Sequence, residues 1–136
     1  MARPYIGGSN AAIMAVSADT TFTTADHGKT IVLDASSALN LTMTLPPTAT
    51  SKGIELDFVL GIASNAASEI LITSDTNIVG GLILNGTGEV TAVTSGASRG
   101  FGDGSDAGSR FNIVCDGSQW IILNANSDVA FVAAFS

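Results

Sequence analysis

Charge is scarce in this chain, and positive charge is scarcest. Its 136 residues carry five Lys plus Arg against twelve Asp plus Glu, a formal net charge of −7. A surface of that sign repels phosphate backbones, which argues against a nucleic-acid partner. Cysteine is nearly absent: Cys115 is alone, so no intrachain disulfide can form and the fold must stand on packing. Folding in a reducing cytoplasm is the simplest expectation. His27 is the one histidine, so the soft ligands of a zinc centre are missing and no metal or cofactor is expected. No run of about eighteen apolar residues exists, so no membrane span is expected. Aromatic residues make up 6% of the chain, little for a carbohydrate-stacking platform.

What is present is apolar and small. The hydrophobic fraction is 46%, the mean hydropathy +0.41 and the charged fraction 12%, about half the ~25% usual in globular domains. A freely diffusing monomer normally carries charge over most of its surface. The shortage therefore predicts that part of the exterior is covered by other subunits, with a Thr/Ser-rich monomeric β-domain as the alternative. The length fits one domain with a single core.

Gly28 to Leu60 is the most legible stretch. Leu39, Leu41, Met43 and Leu45 alternate with Asn40, Thr42 and Thr44, and Ile54, Leu56 and Phe58 alternate with Glu55 and Asp57. Strand side chains point to opposite faces with period two, so this reads as a half-buried antiparallel sheet, wet on one side. Strands are expected over residues 20–24, 30–33, 39–45 (stopped by Pro46-Pro47), 54–60, 69–73, 77–84, 89–93, 111–115 and 119–123. Asn85-Gly86 and Asp116-Gly117-Ser118 are hairpin turns. Residues 95–109 read as a long Gly-rich loop. The spacing predicts an all-β fold, an antiparallel sandwich or flattened barrel of about nine or ten strands. Residues 1–18 read as an extended arm and edge segment ahead of a single domain, 19–136. Arg3 and Val16-Ser17-Ala18 mimic a secretory leader, but Pro4 and Gly7-Gly8-Ser9-Asn10 interrupt its apolar core, and none is expected.

Several constellations invite chemistry and fail on context. Gly28-Lys29-Thr30 ends like a phosphate-binding loop, but position 23 is Thr and a β-branched strand follows where a helix is needed. Cys115 sits in an apolar strand, where free Cys packs as a small hydrophobe, and nothing in the spacing pairs it with His27. Glu55 and Asp57 share one strand face, roughly 7 Å apart by the strand rise, a separation open to a glycosidase pair. The same pattern marks any solvated sheet face. Asp103 and Asp106 lie in the Gly-rich loop but lack the further acids of a Ca²⁺ loop. Trp120 is expected in the core, with partner contact as the alternative.

Three segments together resemble small β-proteins of tailed-phage virions. They are Asp26-His27-Gly28-Lys29-Thr30-Ile31-Val32-Leu33, then Leu41 to Pro47 followed by Gly53 and the strand ending in Phe58, then Phe111 to Trp120 with its Asp-Gly-x-x-Trp hairpin. Proteins similar to these serve as head decoration (cement) proteins, head fibres or tail-fibre modules, and the family has no catalytic residues to transfer. The resemblance implies a non-enzymatic structural protein on the outer surface of the capsid, made in the host cytoplasm, with the major capsid protein as partner. It also implies a homo-oligomer, a trimer by preference, that stabilises the shell by binding it. A tail fibre normally continues into repeats and a receptor-binding tip, which favours the decoration role; a receptor- or glycan-binding fibre or spike domain is the alternative. Contacts with neighbouring subunits are expected from Ala2, Arg3, Pro4, Tyr5 and Ile6, and from Val129, Phe131, Val132 and Phe135 in the tail, which reads equally as an inner strand.

Overall fold

The period-two runs form strands with their apolar members turned inward. Ile31 and Leu33, Leu41, Met43 and Leu45, and Leu56, Phe58 and Leu60 are buried, while Thr42, Thr44, Glu55 and Asp57 lie on the outer face. The structure is a computed structural model and describes residues 13–34, 36, 40–62, 68–80, 82–85, 90–92, 96–102, 104–127 and 131–132. Strands are β1 (Ile13–Val16), β2 (Thr20–Thr21), β3 (Thr30–Leu33), β4 (Leu41–Thr44), β5 (Glu55–Leu60), β6 (Ile70–Val79), β7 (Leu82–Asn85), β8 (Val90–Ala92), β9 (Gly96–Phe101), β10 (Arg110–Cys115), β11 (Trp120–Ser127) and β12 (Phe131–Val132). The fold is all-β, as expected.

Of the two forms expected, the antiparallel sandwich is wrong and a barrel is found. Nine strands form a nearly closed, largely parallel mixed barrel; the main run of paired neighbours among the described residues is the eight strands β1-β3-β5-β10-β11-β6-β4-β2, with β9 paired to β6 beside it. Among β1 to β6, strands adjacent in sequence are not neighbours. β3 lies parallel to β1 and β5, with Ile31 opposite Met14 and Phe58, while β4 lies parallel to β2 and β6, with Met43 opposite Thr20 and Ile72. The chain therefore winds: β1–β2, β3–β4 and β5–β6 are three successive turns, each laid in register on the one before, as in a β-solenoid. Alternation dictates which face is buried but not which strand is adjacent, and the links between strands are long enough to cross to the other wall.

The hairpin β10–β11 closes the winding. β10 lies antiparallel to β5, and β11 meets β6 in parallel at Trp120 and Ile78. Asp116 Oδ1 accepts from Ser118 N (2.8 Å) and Gln119 N (2.9 Å), and Gly117 takes φ 100°, the left-handed region that glycine enters without strain. This hairpin and the β7–β8 pair agree with expectation. The Gly-rich loop does not: residues 96–101 are strand β9, antiparallel to β6. Trp120, Phe22, Phe58, Phe101 and Phe111 are fully buried, with Phe22 edge-on to Phe58 at 5.5 Å and Phe101 edge-on to Phe111 at 6.4 Å.

The turn before β3 has an ionic lock. Asp26 Oδ2 accepts from Thr23 N (2.9 Å), and Asp26 Oδ1 accepts from Lys29 Nζ (2.7 Å), while the Thr23 side chain accepts from Ala25 N. Burial pushes the Asp26 carboxyl up, but Lys29 and Thr23 outweigh it and hold it below 3.8. A carboxylate with a depressed folded value contributes stability that is whole above the unfolded value and fades as pH falls through the folded one. Asp26→Asn is therefore expected to cost about 1 kcal/mol at neutral pH and to flatten the loss of stability below pH 3.8, read by urea unfolding across an acid series.

Candidate functional site

The outer face of the β1-β3-β5-β10 wall has an apolar end and a polar end. At the apolar end the C-termini of β1, β3 and β5 come level, because parallel register places Val16 beside Leu33 and Leu33 beside Leu60. Ala15, Val16, Ser17, Val32, Leu33, Asp34, Gly61 and Ile62 line a groove of about 350 Å³ there. Gly61 forms part of its wall: its N–H donates to Leu33 O (3.0 Å), and a Cβ at this position would lie 2.5 Å from Val32 Cγ1. Ile62, directly after it, is 51% exposed, and Ile13 on β1 is 64% exposed. The groove's one charge is Asp34, held below the ordinary carboxylate value by the Ser36 hydroxyl and backbone N–H. β1 is also the first strand of the sheet order, paired on one side only among the described residues.

At the polar end Gly28, Lys29, Thr30, Glu55, Asp57, Arg110 and Asn112 line a hollow of about 210 Å³. Its charges are mutually answered. Arg110 donates from Nε (3.0 Å) and Nη2 to the two Asp57 oxygens, which raises the guanidinium's pKa, and Asn112 Nδ2 donates to Glu55 Oε1 (3.3 Å). Glu55 and Asp57 do share a face, as expected, but Asp57 serves as the partner of Arg110.

No protein family, curated protein or solved structure matches this chain.

The remaining residues picked out from sequence have structural partners. His27 Nδ1 accepts from Glu55 N at 3.0 Å, which leaves the ring proton on Nε2 in the neutral form. Cys115 is buried, donates to Thr48 O (3.6 Å) and accepts from Gly117 N (3.4 Å), and burial pushes its thiol up; His27 is not among its partners. Gly28 takes φ 77° in a turn that leads into β3, so Gly-Lys-Thr opens a strand. Asp106 is exposed and Asp103 lies outside the described residues, as do Ala2, Arg3, Pro4, Tyr5, Ile6, Val129 and Phe135. Phe131 and Val132 form β12, opposite Phe101 and Gly100 of β9, so the tail's backbone joins the sheet of its own chain. Among the described residues no three His, Cys, Asp or Glu side chains gather where they could hold a metal ion.

Sequence reasoning missed the groove. Its signal is faint but present: Ile13 to Ala18 contains no charged residue, although it forms an edge strand, where natural proteins usually place Lys, Pro or a bulge against unwanted pairing.

Proposed function

We propose that this protein is a structural component of a tailed-phage virion, a decoration protein that sits on the outer surface of the head and braces the shell through contacts with the major capsid protein and with its own copies. The observation that carries the reading is the groove at the end of β1, β3 and β5, flanked by exposed Ile62 and continuous with an uncharged, one-sided edge strand. Such an edge is a site for pairing with another chain. A chain with 12% charged residues has reason to cover it. The resemblance over residues 26–123 supplies the setting. Binding that favours the assembled head stabilises it by mass action.

Co-sedimentation with expanded heads of the encoding phage, prepared without this protein, tests the proposal. The wild-type chain is expected to co-sediment. Ile62→Asp, which places a carboxylate in the groove beside Asp34, is expected to weaken binding at least about tenfold, since a buried unpaired charge costs more than 1.4 kcal/mol. Adsorption to host cells or glycans with no affinity for heads would replace this reading with that of a fibre or spike domain, for which the polar hollow around Asp57 and Arg110 is the natural site.

A further inference from the structure

The polar hollow is built on three strands whose register brings its side chains to one face. Parallel pairing sets Thr30 of β3 opposite Asp57 of β5, and antiparallel pairing sets Asn112 of β10 opposite Asp57 on the other side. Side chains two residues apart share a strand face, so Glu55 lies beside Asp57, and Arg110 beside Asn112. Lys29 completes the lining from the turn before β3. The hollow measures about 210 Å³. That is several times the ~30 Å³ share of one water molecule, yet below the ~300 Å³ at which pockets for drug-sized ligands begin. It is room for one small ring.

Every charge in the hollow is answered, but its hydrogen-bonding capacity is not used up. Arg110 gives Nε and Nη2 to Asp57, and Lys29 gives Nζ to Asp26. The two N–H groups of Arg110 Nη1 and two of the three on Lys29 Nζ are left over. Asn112 Nδ2 donates to Glu55 Oε1 (3.3 Å) and Leu56 O (3.5 Å). Among the described residues nothing bonds Glu55 Oε2, the Thr30 hydroxyl or Asn112 Oδ1. Asn112 is only 9% exposed. Polar atoms of so buried a side chain normally have partners, and Asn112 Oδ1 is left to whatever fills the hollow that the residue lines.

These groups sort ligands by charge. An anion brought to Arg110 also meets Glu55 and Asp57, and a cation brought to Glu55 also meets Lys29 and Arg110, so neither gains. Neutral hydroxyls gain at each point. They donate to Glu55 Oε2 and Asn112 Oδ1 and accept from Arg110 Nη1 and Lys29 Nζ, and with three of those four groups the bond is charge-assisted. A sugar ring has such a hydroxyl on successive carbons, each both donor and acceptor. We propose that this hollow binds a neutral hexose by its hydroxyl edge. No aromatic side chain lines it, so stacking adds nothing, and the dissociation constant of one site is on the order of 1–10 mM. Many copies displayed on one particle bind a multivalent glycan more tightly than that. The hollow lies at the other end of the wall from the groove, so this site goes beyond the capsid-binding reading.

The experiment is a titration of the full chain with glucose, galactose, mannose and N-acetylglucosamine, each to about 100 mM, followed by backbone amide signals in heteronuclear NMR. N-acetylneuraminic acid serves as the anionic probe. Saturable shifts at Thr30, Asp57 and Asn112 are expected with at least one neutral hexose and not with the acid. Glu55→Gln and Asn112→Ala are each expected to weaken binding about fivefold; Leu123→Ser, an exposed position outside the hollow, is expected to leave it unchanged. Where Asn112→Ala does not fold, Thr30→Val removes one hydroxyl at constant shape and reads the same site. Shifts that never saturate, equal shifts with the acid, or binding untouched by Glu55→Gln and Thr30→Val would each overturn the proposal. No capsid enters the titration, so its failure is distinct from a failure to bind heads.

Discussion

Gly100→Ala is expected to cost at least about 3 kcal/mol, the upper range for overpacking a closed interior and a large share of the ~5–15 kcal/mol that holds a domain folded. Gly100 lies on β9 opposite Leu71 of β6, and a Cβ there would stand 1.8 Å from Ile70 O and 2.8 Å from Leu71 Cα. Those are backbone atoms inside a paired strand, so no rotamer change relieves the clash. β9 must withdraw from β6, and Phe101, packed edge-on against Phe111, withdraws with it. Gly96→Ala on the same strand is the control. The atoms nearest its Cβ would be those of the Arg99 guanidinium, the closest at 2.6 Å, the far end of a flexible side chain and not backbone. The urea midpoint is expected to fall steeply for the first variant and by less than about 1 kcal/mol equivalent for the second.

Phe58→Ala is expected to cost about 3–5 kcal/mol. Phe58 is fully buried on β5, the strand joining the parallel turn of β3 to the antiparallel hairpin strand β10, with Ile31 opposite it on one side and Phe111 on the other. Its ring also makes a T-shaped contact with Phe22, whose N–H donates to Thr44 O on the opposite wall. Removing the ring leaves a cavity between walls that the ladders hold in place, so the surroundings collapse little. Phe58→Leu, which keeps most of the volume, is expected to cost less than about half as much. Thermal unfolding of the three proteins side by side measures the difference.

The strands were legible in the sequence because each wall has one wet face. Leu56 and Phe58 against Glu55 and Asp57 is a signal that burial alone produces. Pairing was not legible, since the alternation of β3 is the same whether its neighbour is β4, antiparallel, or β5, parallel. Two further errors have local causes. Residues 96–101 looked like a loop because Gly96 and Gly100 erase the period; Gly100 is there because β6 passes too close for a side chain. β6 looked like two strands because Ser74-Asp75-Thr76-Asn77 is polar. The strand continues through it, with a register shift between Thr73 and Ile78, and Asp75 turns out to accept from Thr48 N at 3.3 Å. The groove was hidden for the reason that hid the pairing: it exists only where the ends of β1, β3 and β5 are brought level by parallel stacking.

The order of winding also governs how this protein is born. The last wall segment to be inserted, β10–β11, enters between β5 and β6, strands synthesised long before it. Until the ribosome has delivered residues 110–127, the nascent polypeptide holds its greasy lining ajar, with the facing edges of β5 and β6 still waiting on β10 and β11. Synthesis at about 5–20 residues per second makes that exposed interval several seconds long, a window in which holdase chaperones have their clearest hold on the chain.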